Sequence, residues 1–154
     1  MLAAFKGSAT GGYYPVGGVV FDTAGNLYGT VEAGGSGDAF GGSIYELLAQ
    51  SWTEEVLALF TRFPASPHPP LSPIAIDSLG NLYVNVSGSG GGVCVGSVLR
   101  IGPSGGEEYF FQIGASDGHY PMGGPVLDAQ NNVYGTTSEG GGFGFGTVFE
   151  VTFH

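Results

Sequence analysis

One seven-residue pattern is written three times in this chain. It reads Asp22-Thr23-Ala24-Gly25-Asn26-Leu27-Tyr28, then Asp77-Ser78-Leu79-Gly80-Asn81-Leu82-Tyr83, then Asp128-Ala129-Gln130-Asn131-Asn132-Val133-Tyr134. The leading aspartates stand 55 and then 51 residues apart. A period of that size in a chain of 154 residues points to three copies of one supersecondary unit.

The repeat extends on both sides of the pattern. Pro15, Pro70 and Pro121 each precede the aspartate by seven residues. A short apolar run follows each proline: Gly18-Val19-Val20-Phe21, Pro73-Ile74-Ala75-Ile76 and Gly124-Pro125-Val126-Leu127. A second run starts at each tyrosine: Tyr28-Gly29-Thr30-Val31, Tyr83-Val84-Asn85-Val86 and Tyr134-Gly135-Thr136-Thr137. A glycine-rich loop comes next, then a third run: Ser43-Ile44-Tyr45-Glu46-Leu47, Ser97-Val98-Leu99-Arg100-Ile101 and Thr147-Val148-Phe149-Glu150-Val151. A fourth segment leads toward each proline: Leu2-Ala3-Ala4-Phe5, Val56-Leu57-Ala58-Leu59-Phe60 and Tyr109-Phe110-Phe111-Gln112-Ile113. Short β-rich runs bounded by turn residues read as strands. Ser51-Trp52-Thr53-Glu54 resembles a helix capping box. Its counterpart Glu107-Glu108-Tyr109-Phe110-Phe111 has strand composition, so both segments are assigned as strands.

The expected fold is therefore all-β. It comprises a single repeat domain over 1–154, with four-stranded repeats at about 1–52, 53–106 and 107–154, arranged as β-propeller-like blades. The alternative is a β-trefoil or β-prism, which also builds internal threefold symmetry from four-stranded units.

Composition narrows the partners. Glycine numbers 31, about three times its usual share, without the period of collagen. Charged residues make up 10% and the net charge is −10, because Lys6, Arg62 and Arg100 are the only lysines and arginines. Phosphate neutralisation needs clustered Lys and Arg, so nucleic acid is not an expected partner. Anionic membrane surfaces are disfavoured for the same reason. No apolar run approaches the 18 or so residues of a membrane-spanning helix. Met1-Leu2-Ala3-Ala4-Phe5 does not read as a secretory signal. Cys94 is the lone cysteine and reads as a small buried hydrophobe.

The repeated pattern reads as a hairpin turn. Its aspartate accepts backbone N–H groups two residues on. Its glycine takes a positive φ. Asn131 replaces that glycine in copy three, and asparagine is the residue other than glycine that best tolerates the left-handed region. The tyrosine enters the next strand with its hydroxyl seeking a partner. Asp22, Gly25, Asn26, Tyr28, Asp77, Gly80, Asn81, Tyr83, Asp128, Asn131, Asn132 and Tyr134 are thus assigned as structural turn residues. A helix–loop–helix calcium loop needs several oxygen ligands at alternate positions, and each turn here offers one carboxylate.

No cofactor, metal or catalytic constellation is expected. The glycine-rich loops lack the Gly-Lys-Ser/Thr ending of a phosphate loop. His68, His119 and His154 lack metal-ligand spacing. Glu54-Glu55 and Glu107-Glu108 are strand neighbours that face opposite ways. Phe40, Trp52, Phe143 and Phe145 are the candidate contacts for a partner or glycan, with partial burial favoured for Trp52.

The sequence Pro-x-x-Gly-x-Val-x-Asp-x-x-Gly-Asn-Leu-Tyr-Gly-Thr, a Gly-Gly loop and Gly-Thr-Val-Phe-Glu-Val resembles the GloVer tandem-repeat (choice-of-anchor) family of bacterial surface proteins. Copy three, Pro121 to Val151, matches best; Val84-Asn85 and Val93-Cys94-Val95 make copy two depart most. The resemblance implies an extracellular or surface-anchored repeat protein and carries over no catalytic residue. The reading is a noncatalytic structural or interaction protein, homo-oligomeric or filamentous through its β-repeats. The alternative is a carbohydrate-binding, lectin-like module.

Overall fold

The computed structural model describes residues 1–5, 7, 12–34, 41–60, 69–87, 96–105, 107–114 and 116–153, with the backbone alone at 107–110 and 112. Among these residues every regular element is a strand, and no helix is present. The strands are β1 (Gly12–Phe21), β2 (Leu27–Gly34), β3 (Ser43–Leu47), β4 (Glu54–Leu59), β5 (Ala75–Ile76), β6 (Leu82–Ser87), β7 (Gly96–Ile101), β8 (Glu107–Gln112), β9 (Val126–Leu127), β10 (Val133–Thr137) and β11 (Thr147–Val151). They form three antiparallel sheets, ordered β1-β2-β3-β4, β5-β6-β7-β8 and β9-β10-β11. The all-β expectation therefore holds. The capping-box segment ends in a strand, β4, as does its counterpart β8.

Each hairpin joins sequence neighbours, so the sheets grow in chain order. β4 hydrogen-bonds to β3 and β8 to β7. The sheets thus run one segment out of phase with the sequence divisions at residues 52 and 106.

Three details depart from the strand expectations. β5 and β9 shrink to Ala75–Ile76 and Val126–Leu127, because Pro73 and Pro125 cannot donate to a ladder. β1 accommodates Pro15 because it is an edge strand, and it carries a bulge between Val16 and Val20. Leu2–Phe5 forms no strand. It lies against the first sheet, where Phe5 meets Tyr45 edge-on at 4.8 Å between ring centroids.

The sheets stack face on face in sequence order. Ile44, Ala58 and Phe60 of the first sheet pack with Leu82, Val84, Leu99 and Ile101 of the second. Tyr83, Val98 and Ile113 on the second sheet pack with Val133, Phe149 and Val151 of the third. The remaining cluster, Leu27, Val31, Tyr45 and Leu47, is covered by Ala3, Phe5 and Trp52. Burial tracks this stacking: β6 is buried along its whole length, whereas β10 and β11 alternate in the period-2 manner of a sheet with one bare face.

The bulged middle of β1 and the segments before β5 and β9 converge. A Cβ on Gly18 or Gly124 would stand 3.9 or 2.9 Å from the Pro73 Cβ. Side chains tie each sheet to the next loop. Thr30 Oγ1 donates to Ser72 O at 3.4 Å, and Asn85 Nδ2 donates to Gly123 O at 2.7 Å.

Candidate functional site

The three Asp-x-x-Gly/Asn-Asn turns share one geometry. Asp22 Oδ1 accepts from the N–H groups of Ala24 and Asn26, both at 2.8 Å. Its Oδ2 accepts from Asn26 Nδ2 and from the Tyr28 hydroxyl, both at 3.0 Å. Asp77 receives Leu79 N, Asn81 N, Asn81 Nδ2 and Tyr83 OH at 2.9, 2.9, 2.8 and 3.1 Å. Asp128 receives Gln130 N, Asn132 N, Asn132 Nδ2 and Tyr134 OH at 2.9, 2.9, 2.8 and 3.2 Å. Gly25, Gly80 and Asn131 take φ of 89°, 85° and 62°. The left-handed backbone is what lets the chain reverse while both N–H groups aim at one oxygen.

These clasps set the charges. Burial alone would raise the three aspartates, but the converging hydrogen bonds outweigh it and hold each carboxyl below its ordinary value. Burial, then the Glu46 and Asp22 carboxylates, holds the Tyr28 proton far above the usual phenol range. The Glu150 hydrogen bond, with burial and Asp128, pushes Tyr134 up to about 12. Both phenols are shared between two carboxylates: Tyr28 OH lies 2.8 Å from Glu46 Oε1, and Tyr134 OH lies 3.0 Å from Glu150 Oε1. At neutral pH each is a donor tying turn to sheet, not a base. Each aspartate is filled by four donors, an arrangement that serves backbone geometry. Among the described residues no group of three or more His, Cys, Asp or Glu stands ready to hold a metal.

The candidate contact residues scatter. Phe143 and Phe145 lie on the loop between β10 and β11, 92% and 91% exposed. That loop is turned back by hydrogen bonds from Gly144 N to Gly141 O and Gly146 N to Gly140 O, at 3.2 and 3.0 Å. Trp52 sits in the β3–β4 loop, half-buried against the outer cluster of the first sheet. Phe40, like Cys94, His68 and His154, lies outside the described residues. Of the aromatic candidates, Trp52 on the first sheet and Phe143 and Phe145 on the third form no common site. Of the Glu54-Glu55 pair, Glu55 is exposed and Glu54 half-buried.

Trp52 and Gly105 hold the same place in consecutive repeats, with φ of 54° and 79°. A Cβ on Gly105 would stand 2.6 Å from Leu57 O of the preceding sheet, so only glycine fits there. Among the described residues no sheet lies against that side of the first sheet, and Trp52 packs over its outer cluster instead.

The surface that sequence reasoning missed is the outer face of the third sheet. Cross-strand register aligns Ile44, Val98 and Val148, opposite Thr30, Asn85 and Thr136. Ile44 and Val98 are 0% exposed, while Val148 is 81% exposed. Val126 on the same face is 64% exposed, and Thr136 and Glu150 are exposed beside them. Apolar residues in a repeat-equivalent place, bare in one copy alone, form an unused stacking face. The signal was present as the shared Ser-Ile, Ser-Val, Thr-Val pairs, but their burial depends on whether another sheet stacks on them. No family model matches the chain, and no curated protein matches it either.

Proposed function

We propose that this chain is a noncatalytic structural or interaction module that self-assembles through its β-repeats, its sheets set as propeller-like blades. The observation that carries the reading is Val148. It is 81% exposed where its repeat equivalents Ile44 and Val98 are fully covered by the next sheet. Face-on stacking in chain order and the approach of Gly18 in β1 and Gly124 before β9 to Pro73 support blades around a common axis. An arc of three such blades leaves a face and an edge that seek partners. The resemblance to GloVer surface proteins supports action outside or on the surface of the cell. Sedimentation velocity across a hundredfold concentration range tests the reading. Concentration-dependent growth in mass is expected, and a strict monomer throughout would sink it.

A second reading, a lectin-like module, is favoured by Phe143 and Phe145, whose rings stand free on a hydrogen-bonded loop. Exposed aromatics of this kind stack on sugar faces. Glycan-array binding lost on Phe143→Ala and Phe145→Ala would support it, and silence of the wild-type chain on the array would end it.

A further inference from the structure

We propose that the copies join head to tail by strand donation. The segment Leu2–Phe5 of one copy adds to the free edge of β11 in another, and the first sheet of the donor then covers the bare face around Val148. The inference rests on the self-assembly reading and names its interface.

Leu2-Ala3-Ala4-Phe5 repeats Leu57-Ala58-Leu59-Phe60 nearly letter for letter, and each phenylalanine stands ten residues before its proline. Leu57–Leu59 lies in β4, the strand that completes the first sheet, and Phe60 N donates to Gly42 O at 3.1 Å just beyond it. Leu2–Phe5 has this composition but forms no strand, and Ala3 and Phe5 lie instead on the outer cluster of the first sheet. The third sheet shows the reciprocal lack. β3 and β7 each pair with a fourth strand, whereas β11 has none beside it among the described residues. An unpaired edge next to an apolar face is a template for strand addition.

The internal repeats fix the geometry. Ala58 pairs with Ile44, so Ala3 falls opposite Val148. Phe60 bonds to Gly42, so Phe5 falls beside Gly146. Thr30 and Asn85 donate to Ser72 O and Gly123 O of the next repeat, so the exposed Thr136 is placed to donate to Gly17 O of the second copy. Donation also moves Ala3 and Phe5 off Leu27, Val31, Tyr45 and Leu47. That cluster occupies the repeat position of Leu82, Val86, Leu99 and Ile101, which already cover a preceding sheet. One movement thus completes the edge and uncovers the face that docks on it. Trp52 stands where Gly105 abuts Leu57, and its indole must turn aside as the second copy docks.

The test mixes two full-length chains in a Cys94→Ala background, one carrying Ala3→Cys and the other Val148→Cys, under mild oxidation. A disulfide joining the two different chains, mapped by peptide mass, is expected to dominate. Val148→Asp should weaken association in sedimentation at least tenfold while leaving the urea unfolding curve in place. Trp52→Gly should tighten association. Association that survives Val148→Asp with only like-to-like disulfides overturns strand donation and leaves self-assembly standing. A wild-type chain that stays monomeric at every concentration overturns both.

Discussion

Val98 and Val148 occupy the same place in adjacent repeats, on strands of the same apolar pattern, yet one is wholly buried and the other 81% exposed. Their ladders are alike: Val98 pairs with Asn85, and Val148 with Thr136. The difference lies in the next sheet. The second sheet is covered on both faces and its central strands are buried but for the half-buried Arg100, while β10 and β11 keep one wet face. Repeat stability of this kind is a sum of unit and neighbour terms, so the same side chain is core or surface according to whether a neighbouring sheet stacks on it.

The comparison can be broken first at its apolar positions. Ile44→Ala should cost about 2–5 kcal/mol, because it opens a cavity between two sheets, whereas Val148→Ala should change stability by about 0.5 kcal/mol or less. Urea denaturation of the two variants decides this, and equal losses would mean that the Val148 face is covered in the isolated chain.

The turn clasps offer the next largest contrast. Asp77→Ala should cost about 2 kcal/mol, since it strands backbone and side-chain donors beside the buried Tyr83. Asp128→Ala, whose tyrosine is half-exposed at the uncovered sheet, should cost less in the same assay. The pH dependence comes from the same bonds. Carboxyls held below their ordinary value stabilise the fold above the unfolded pKa of about 4, and that contribution is lost as pH falls through the lower folded values. Thermal melts should therefore drop below pH 4. A flat melting temperature down to pH 2 would contradict the clasps.

A smaller effect concerns the left-handed position. Gly80→Ala should cost about 1–2 kcal/mol, with its Cβ also meeting the Pro103 Cβ at 3.3 Å. Asn131→Gly should be close to neutral, because asparagine already tolerates φ of 62°. The smallest effect is spectroscopic. The neutral Tyr134 phenol is favoured in the fold, so its contribution is complete below the unfolded pKa of about 10 and is lost as pH rises through about 12. An ultraviolet titration of wild type against Tyr134→Phe should remove one late-ionising phenol.

Much of this was legible in the chain. The spacing of Asp22, Asp77 and Asp128 marked three units, and the Asn131 exchange pointed to a backbone role at a position whose φ is indeed left-handed. The runs around Ile44, Val98 and Val148 were recognisable as equivalent strands. The tyrosine hydroxyls needed a partner, but the meeting of Tyr28 and Tyr134 with both the turn aspartate and Glu46 or Glu150 comes only from the cross-strand register. Leu2–Phe5 read as a strand because local composition says so. It lies on the first sheet instead, since a strand forms only where an edge is within reach.

The sequence by itself determined the units: where the three clasps turn, that Gly25, Gly80 and Asn131 take a positive φ, and which runs follow them as strands. These properties depend on neighbours a few residues away, through sterics and short-range hydrogen bonds. Only the tertiary structure decided which of three equivalent faces is bare and which edge is unpaired. Burial is a relation between sheets distant in sequence, and three strands of equivalent pattern cannot state which of them has no sheet stacked upon it.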